Sequence, residues 1–250
     1  MPSNNHAPEG RKNRRRGGYQ AGLPLDVPER RRKRGSSRDV AHAYMTAGVI
    51  LDQTTGMAVM RPEQEVPHGM ISFSEAMRQR DHNYDQYVHF YENDDQIERF
   101  WNNPWNYLDR LGRFAGVVAT DYSTSPGIPD AVRRYNVYRN QLTGAWLQSI
   151  GYHALCNVRC PAYGYGYFLT GAPRESLIAV GEVGCVKNRF DRNRFEGGLI
   201  RAIDELRPTG IVVVGEDSYG VFDYARDCGV PLHFFPGETE RFHEGGGADV

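Results

Sequence analysis

Three short apolar runs near the end of the chain decide its fold: LIAV (177–180), IVVV (211–214) and PLHFF (231–235). Helical patterns separate these runs, one at residues 190–206 and another at residues 219–228. Short runs that are apolar at every position and alternate with helices are typical of parallel strands buried on both faces. These residues therefore predict an α/β domain with a mostly parallel sheet covered by helices.

The same alternation extends toward the N-terminus. Further strands are predicted at residues 87–91, 116–120 and 153–158, and a long helix is predicted from Pro129 to about Ile150. Proline is well tolerated at the first turn of a helix, which supports this start. The pattern leaves two arrangements open, a doubly wound sheet and a partial barrel.

Composition divides the chain into four parts: a disordered basic tail at 1–38, an irregular segment at 39–83, the α/β domain at 84–236 and a flexible C-terminal tail at 237–250. The first part has almost no apolar side chains, so it cannot bury enough surface to offset the entropy lost on ordering. In the irregular segment, apolar runs at 47–51 and 57–60 fit either a hairpin or loosely packed loops.

Charge is distributed unevenly along the 250 residues, although the formal net charge is only −1. Residues 1–38 hold eleven basic and three acidic residues, a net charge of +8, whereas the other 212 hold 19 basic and 28 acidic residues, a net charge of −9. This asymmetry indicates a polyanion as partner, and we expect nucleic acid to bind the tail by counterion release. The expected contacts are Arg14, Arg15, Arg16, Arg31, Arg32, Lys33 and Arg34. Binding to an anionic membrane, or a role in solubility alone, stays open as an alternative.

Composition also argues against several other classes of protein. No apolar run approaches the roughly 18–20 residues that span a bilayer, and no secretory signal pattern is present. The four cysteines form neither a disulfide framework nor a zinc-binding spacing, so a cytoplasmic location is expected. Phosphate-binding Walker loops, dinucleotide glycine motifs and HExxH zinc motifs do not occur in the sequence.

Polar side chains follow the predicted strands, at the edge where a parallel sheet binds ligands. The candidate catalytic residues there are the carboxylates Asp121, Glu182, Glu216 and Asp217. Asp121, Glu216 and Asp217 are also candidate ligands for Mg²⁺ or Mn²⁺, because hard cations prefer oxygen ligands. Candidate ligand-binding residues are Asn136, Arg139, Asn140, Asn157, Arg159 and Lys187. The alternative is that these acids only cap helices in polar loops.

Seven motifs occur in a characteristic order: VHFYEND (88–94), ERFWNNP (98–104), DYS (121–123), NVYRN (136–140), NVR (157–159), GCVK (184–187) and VVG (213–215). In this order they resemble the domain-of-unknown-function family 4417, over about residues 86–236. The family has no established activity, and its members occur in bacteria, their phages and other mobile elements. The resemblance implies such a setting. It also implies that Asp121, Asn136, Arg139, Asn140, Asn157 and Arg159 match family motifs, whereas Cys160 stands where the family often has an aromatic residue.

Three functions are compatible with these features. The leading hypothesis is a phage or mobile-element accessory protein that associates with nucleic acid through its basic tail and holds a ligand or metal at the C-terminal edge of the sheet. The second is a metal-dependent phosphodiester or nucleotide-processing enzyme. The third is a host-directed protein-interaction module without catalysis.

Overall fold

The structure, a computed structural model, describes residues 42–78, 83–160, 166–182, 185–186 and 188–237. The predictions for the basic tail at 1–38, for Lys187 and for the C-terminal tail beyond residue 237 lie outside these residues. The strands are β1 (Ile50–Leu51), β2 (Ala58–Val59), β3 (Met70–Ser72), β4 (Tyr87–His89), β5 (Gly116–Val118), β6 (Ala154–Asn157), β7 (Leu177–Gly181), β8 (Gly210–Val214) and β9 (Leu232–Phe235). The α-helices are α1 (Phe73–Arg78), α2 (Asp94–Asn102), α3 (Leu108–Leu111), α4 (Asp130–Ser149), α5 (Arg189–Leu206) and α6 (Asp223–Asp227). Two short 3₁₀ helices lie at Ala43–Thr46 and Pro104–Asn106.

A parallel sheet of seven strands forms the centre of the described structure, with strands β3 to β9 side by side in chain order. Every neighbouring pair in this sheet is parallel. Strands β1 and β2 form a separate antiparallel pair, which confirms the hairpin alternative for the segment before the sheet. The predicted α/β class with a mostly parallel sheet is therefore confirmed.

The strand order distinguishes between the two predicted arrangements. A doubly wound sheet reverses its strand order partway, whereas this sheet runs from β3 to β9 without reversal. Crossovers between parallel strands are almost always right-handed, so an unreversed order places all the connecting helices on one face. This is the winding of a barrel, and the sheet is a partial barrel of seven strands.

Alternate strand residues confirm that the two faces of the sheet differ. On the helix-covered face, Val88, Val117, Ile178 and Val213 belong to the large core that also contains the helix residues. The inner face has its own apolar cluster, whose buried members all lie in strands: Met70, Tyr87, Val118, Leu155, Leu177, Ala179, Val212 and Val214. Since successive side chains of a strand point to opposite faces, the period of two seen here is the one expected for a barrel wall.

The sheet begins earlier in the chain than the sequence pattern predicts. Strand β3 (Met70–Ser72) lies in the segment expected to be irregular, yet it pairs with β4. The apolar run here is only two residues long, Met70 and Ile71 between Gly69 and Ser72, which explains why the pattern missed the strand. Strand β3 and helix α1 therefore belong to the same unit as the region that follows residue 84. Within the described residues, no helix is long and apolar enough to cross a membrane.

Candidate functional site

The segment directly after β5 lies at the C-terminal strand edge and is anchored to helix α4. Two side chains of helix α4 hold its backbone. The Asn140 side-chain oxygen accepts hydrogen bonds from the Tyr122 amide at 2.8 Å and from the Thr120 hydroxyl at 3.1 Å, and Asn136 donates to the Ser123 carbonyl at 2.6 Å. These hydrogen bonds hold the residues on both sides of Asp121, and they therefore fix its position at the end of the strand.

Arg139 ties the same segment to helix α2. Its guanidinium forms an ion pair with Glu98 and donates to Asn136 at 2.6 Å. It also lies over the ring of Tyr122, 3.4 Å from the ring centroid. Arg139 is buried, as are the two asparagines of α4. In this structure these three predicted ligand-binding residues support the segment and do not line the pocket described below; a direct role in ligand binding stays a prediction.

Asp121 and Arg159 form a largely buried ion pair at the ends of two neighbouring strands. Asp121 is 4% exposed, and its carboxylate accepts hydrogen bonds from Arg159 and, at 2.7 Å, from Asn157. Burial raises the pKa of Asp121, while the charge of Arg159 and the bond from Asn157 act in the opposite direction. The Arg159 side chain is 26% exposed and has five N–H donors, so it can offer donors to a ligand while it neutralises the buried carboxylate.

Tyr91 extends this network from the end of β4. Its hydroxyl donates to the Asn157 side-chain oxygen at 3.1 Å, and burial raises the pKa of its phenol well above the ordinary value. The ring fits against Gly181, where a Cβ atom would lie only 2.3 Å from a ring carbon. A glycine at the end of β7 therefore leaves the space that the Tyr91 ring occupies.

A pocket of about 480 Å³ opens above this network. Its wall is formed by residues that follow four of the strands: Tyr91, Glu92, Asn93, Asp94, Gln96, Asp121, Ser123, Arg159, Gly181 and Cys185. This volume is typical of pockets that bind small molecules, and the C-terminal edge is where a barrel or open α/β sheet binds them. Two predicted site residues, Asp121 and Arg159, meet in this pocket.

All three acids that line the pocket among the described residues already have partners, and that of Asp121 is Arg159. The Asp94 carboxylate accepts hydrogen bonds from the amide and the hydroxyl of Ser123, at 3.1 and 3.0 Å. Glu92 accepts from the Ser74 amide in the first turn of α1. Acidic side chains at these positions are favourable because helix N-termini carry unpaired N–H groups. Arg159 is the only arginine or lysine among the described residues that line the pocket.

The other predicted catalytic carboxylates do not line this pocket. Glu182 is buried and accepts a hydrogen bond from the Ser218 hydroxyl at 2.9 Å, whereas Glu216 is exposed. Asp217 is exposed and forms an ion pair with Arg226 of α6. In the described parts of the chain, no three His, Cys, Asp or Glu side chains are placed to hold a metal ion. Asp121 and Asp217 thus pair with arginines in different parts of the fold, and a metal site shared by Asp121, Glu216 and Asp217 stays a prediction.

The sequence analysis missed one wall of the pocket. Tyr91, Glu92, Asp94 and Gln96 come from the end of β4 and the start of α2, and none of them was predicted as a site residue. The signal was available, because the rule that ligands bind after parallel strands applies equally to the predicted strand at 87–91.

Comparison with known proteins places the chain in a family. The chain is 28% identical over 131 residues to the "Gene 1 protein" of Mycobacterium phage L5, covering 52% of this chain and 57% of that protein. It is 27% identical over 146 residues to the "Gene 1 protein" of Mycobacterium phage D29, covering 58% of this chain and 52% of that protein. The matched region thus spans about half the length of these curated relatives, and no solved structure matches the chain. A family model matches residues 51–238, so the chain belongs to the family described as "Domain of unknown function (DUF4417)".

Proposed function

We propose that this chain is an accessory protein of a phage or mobile element that associates with nucleic acid through its basic N-terminal tail and binds a small polar ligand in the pocket beside Asp121 and Arg159. The pocket is the observation that carries the proposal, because it lies at the strand edge that binds ligands in related architectures. The similarity to phage proteins supports the setting.

The charges of the pocket restrict the class of ligand. Three acids, Glu92, Asp94 and Asp121, face one base, Arg159, so a highly charged triphosphate would meet a surplus of negative charge. Arg159 offers hydrogen-bond donors, and the amide side chain of Asn93 provides both donors and acceptors. These groups suit a nucleobase, a nucleoside or a nucleotide with a single phosphate.

A thermal-unfolding screen with nucleosides and nucleoside 5′-monophosphates tests the pocket. A ligand present at 100 times its Kd should stabilise the fold by about 2.7 kcal/mol, and so raise the unfolding midpoint. Arg159→Lys is the matched variant, because lysine keeps a positive charge beside Asp121 but lacks the planar fork of donors. We expect the shift in wild type and a reduced shift in this variant. Equal shifts in both proteins, or none with any compound, would contradict the proposal.

The basic tail is tested in the full-length chain by replacing its seven predicted contact residues with glutamine: Arg14, Arg15, Arg16, Arg31, Arg32, Lys33 and Arg34. Each lost phosphate contact on duplex DNA should reduce the slope of log Kobs against log salt by about 0.9. We expect weaker binding and a much shallower salt dependence. Binding that keeps its affinity and its slope would mean that the tail is not the contact.

A metal-dependent enzyme is less well supported than ligand binding, because two of the three candidate metal ligands, Asp121 and Asp217, already form ion pairs with arginines. A titration with Mg²⁺ or Mn²⁺ separates the two functions. At millimolar metal we expect no change in the unfolding midpoint. A rise in the wild type that disappears in Asp121→Asn would support the metal site instead.

A further inference from the structure

The carboxylate of Asp94, the first residue of α2, is divided between the protein and the pocket. Its Oδ1 atom accepts hydrogen bonds from the Ser123 amide at 3.1 Å and from the Ser123 hydroxyl at 3.0 Å. Among the described residues, its Oδ2 atom accepts only a longer hydrogen bond of 3.4 Å from the same amide. Asp94 is half-buried and lines the pocket. Since a carboxylate oxygen can accept about two hydrogen bonds, Oδ2 can still accept one from a ligand.

Electrostatic effects show that Asp94 lies close to the Asp121–Arg159 ion pair. Burial is the main cause of the raised pKa of Asp121, and the charge of Asp94 acts in the same direction. Burial lowers the pKa of Arg159, whereas nearby negative charges, including those of Asp121 and Asp94, raise it. Ser123, which binds Asp94, is two residues from Asp121 in the chain. The acceptor on Asp94 and the side chain of Arg159 therefore face the same pocket.

Arg159 provides donors opposite this acceptor. Its Nη1 atom donates to Asp121, and its other N–H groups donate to no further residue in the described parts of the chain. A ligand that has a hydrogen-bond acceptor beside a donor can therefore bind Arg159 and Asp94 together. The edges of nucleobases combine such groups, for example the N7 acceptor and the N6 amino donor of adenine.

The charge of Asp94 favours a neutral group over an anion at this position. Asp121 and Arg159 neutralise each other, whereas the described partner of Asp94 is Ser123, which carries no charge. Glu92 is a further acid in the lining of the pocket. A phosphate that entered the pocket would therefore meet a negative charge that no cation of the described lining offsets.

Charges next to the pocket do not reverse this preference. Burial raises the pKa of Cys185, which lines the pocket, while the charge of Arg194 acts against this shift and that of Glu182 acts with it. Arg194 also forms an ion pair with Asp191 at 2.8 Å. Arg194 is thus matched by two acids, and it does not turn the pocket into a site for anions.

We propose that Asp94 determines the specificity of the pocket, by accepting a hydrogen bond from the nucleobase of the ligand and by repelling a phosphate group. The nucleobase contacts both Asp94 and Arg159, and the sugar and any 5′-phosphate point out to solvent. This inference rests on the proposed ligand binding and adds which end of the ligand enters the pocket. The opposite orientation would use the affinity of arginine for phosphate, but it would bring the phosphate next to Asp94.

Isothermal titration calorimetry on the full-length chain tests which end of the ligand enters. The probes are adenosine, guanosine, cytidine and uridine, each compared with its 5′-monophosphate, and ribose 5-phosphate, which has the phosphate without the nucleobase. We expect at least one nucleoside to bind about 10-fold more tightly than its monophosphate, and no binding of ribose 5-phosphate. Tighter binding of the monophosphates, or binding of ribose 5-phosphate, would overturn the inference.

Asp94→Asn removes the charge and keeps the contact with Ser123, because the side-chain oxygen of asparagine can still accept both hydrogen bonds. We expect nucleoside binding about 10-fold weaker, since an amide N–H group cannot accept a hydrogen bond from the nucleobase. The preference over the monophosphate should narrow to about threefold. Asp95→Asn is the matched control, because this acid is exposed in the same turn and does not line the pocket; its affinities should stay within about twofold of wild type. Urea unfolding of both variants checks that the fold is intact.

Salt provides a test that needs no variant. Repulsion between solvent-exposed charges is screened as the ionic strength rises. Raising NaCl from about 50 mM to about 500 mM should therefore reduce the wild-type preference for the nucleoside from about 10-fold to about twofold. A preference that does not change with salt would mean that charge does not exclude the phosphate, and it would refute this role of Asp94.

The outcomes separate this inference from the proposed function. If monophosphates bind as well as nucleosides, or Asp94→Asn behaves like wild type, the role of Asp94 is refuted and ligand binding in the pocket stands. If the preference for nucleosides is present and narrows in Asp94→Asn, both proposals are supported. If no probe binds, both fail.

Discussion

Removing either partner of the Asp121–Arg159 ion pair should have unequal effects on stability. Arg159→Gln leaves a carboxylate that is 4% exposed without its cation, and breaking a buried pair in this way costs about 3–5 kcal/mol. Asp121→Asn leaves a guanidinium that is 26% exposed and can be hydrated, so we expect a loss of about 1.5–3 kcal/mol. The double variant should lose less than the sum, with a coupling of about 2 kcal/mol.

The loss of stability caused by Arg159→Gln should also depend on pH. Burial already raises the pKa of Asp121 above the ordinary value of an aspartate, and removing Arg159 should raise it further. A carboxylate whose pKa is higher in the folded state than in the unfolded state contributes stability at low pH, which is lost as the pH rises through the folded pKa. Within that window the defect of Arg159→Gln should change by about 1.4 kcal/mol per pH unit. The stability defect of Arg159→Gln should therefore shrink as the pH is lowered through the folded-state pKa of Asp121 in that variant.

Urea unfolding followed by tryptophan fluorescence, at pH 8 and pH 5, measures all four proteins of the double-mutant cycle. The wild type and Asp121→Asn serve as the pH controls, because the first keeps the ion pair and the second has no carboxylate at this position. Equal losses for Asp121→Asn and Arg159→Gln, a coupling below about 0.5 kcal/mol, or a defect of Arg159→Gln that does not change with pH would each refute the reasoning.

Two further predictions concern the residues that shape the pocket. Gly181→Ala should displace the ring of Tyr91 and lower stability by about 1–3 kcal/mol, whereas Gly127→Ala, where an added Cβ meets nothing within 4 Å, should have a small effect; urea unfolding compares them. Asn140→Ala removes the acceptor of the buried Tyr122 amide and should cost about 1–3 kcal/mol, with faster hydrogen exchange of that amide as a second readout. A normal exchange rate in that variant would mean that another group replaces the acceptor.

The amino-acid sequence predicts the fold well because the buried strands are apolar at nearly every position. The run IVVV at 211–214 can only be a fully buried segment, and its length between turn residues favours a strand. Strand β3 shows the limit of this signal, since only two of its residues, Met70 and Ile71, form an apolar run. Distinguishing a partial barrel from a doubly wound sheet requires the strand order, which no local pattern contains.

The candidate site is only partly visible in the sequence. Asp121 and Arg159 follow predicted strands, and the rule for strand ends therefore predicts that they lie near each other. The spacing of Asn136 and Asn140 places them on one face of a helix, but it does not say whether they face a ligand or the protein backbone. Asp217 follows a strand as well, yet it forms an ion pair with Arg226 of α6. The path of the loop before α6 decides this pairing, and the sequence pattern does not predict that path.

The central claim is that the pocket at the C-terminal edge of the sheet binds a small polar ligand beside Asp121 and Arg159, and photocrosslinking tests it most directly. The full-length chain is irradiated with 5-iodouridine 5′-monophosphate, and the modified residues are identified by mass spectrometry. We predict an adduct on Tyr91, which lines the pocket. Adducts confined to residues outside the pocket, or no adduct at all, would contradict the account.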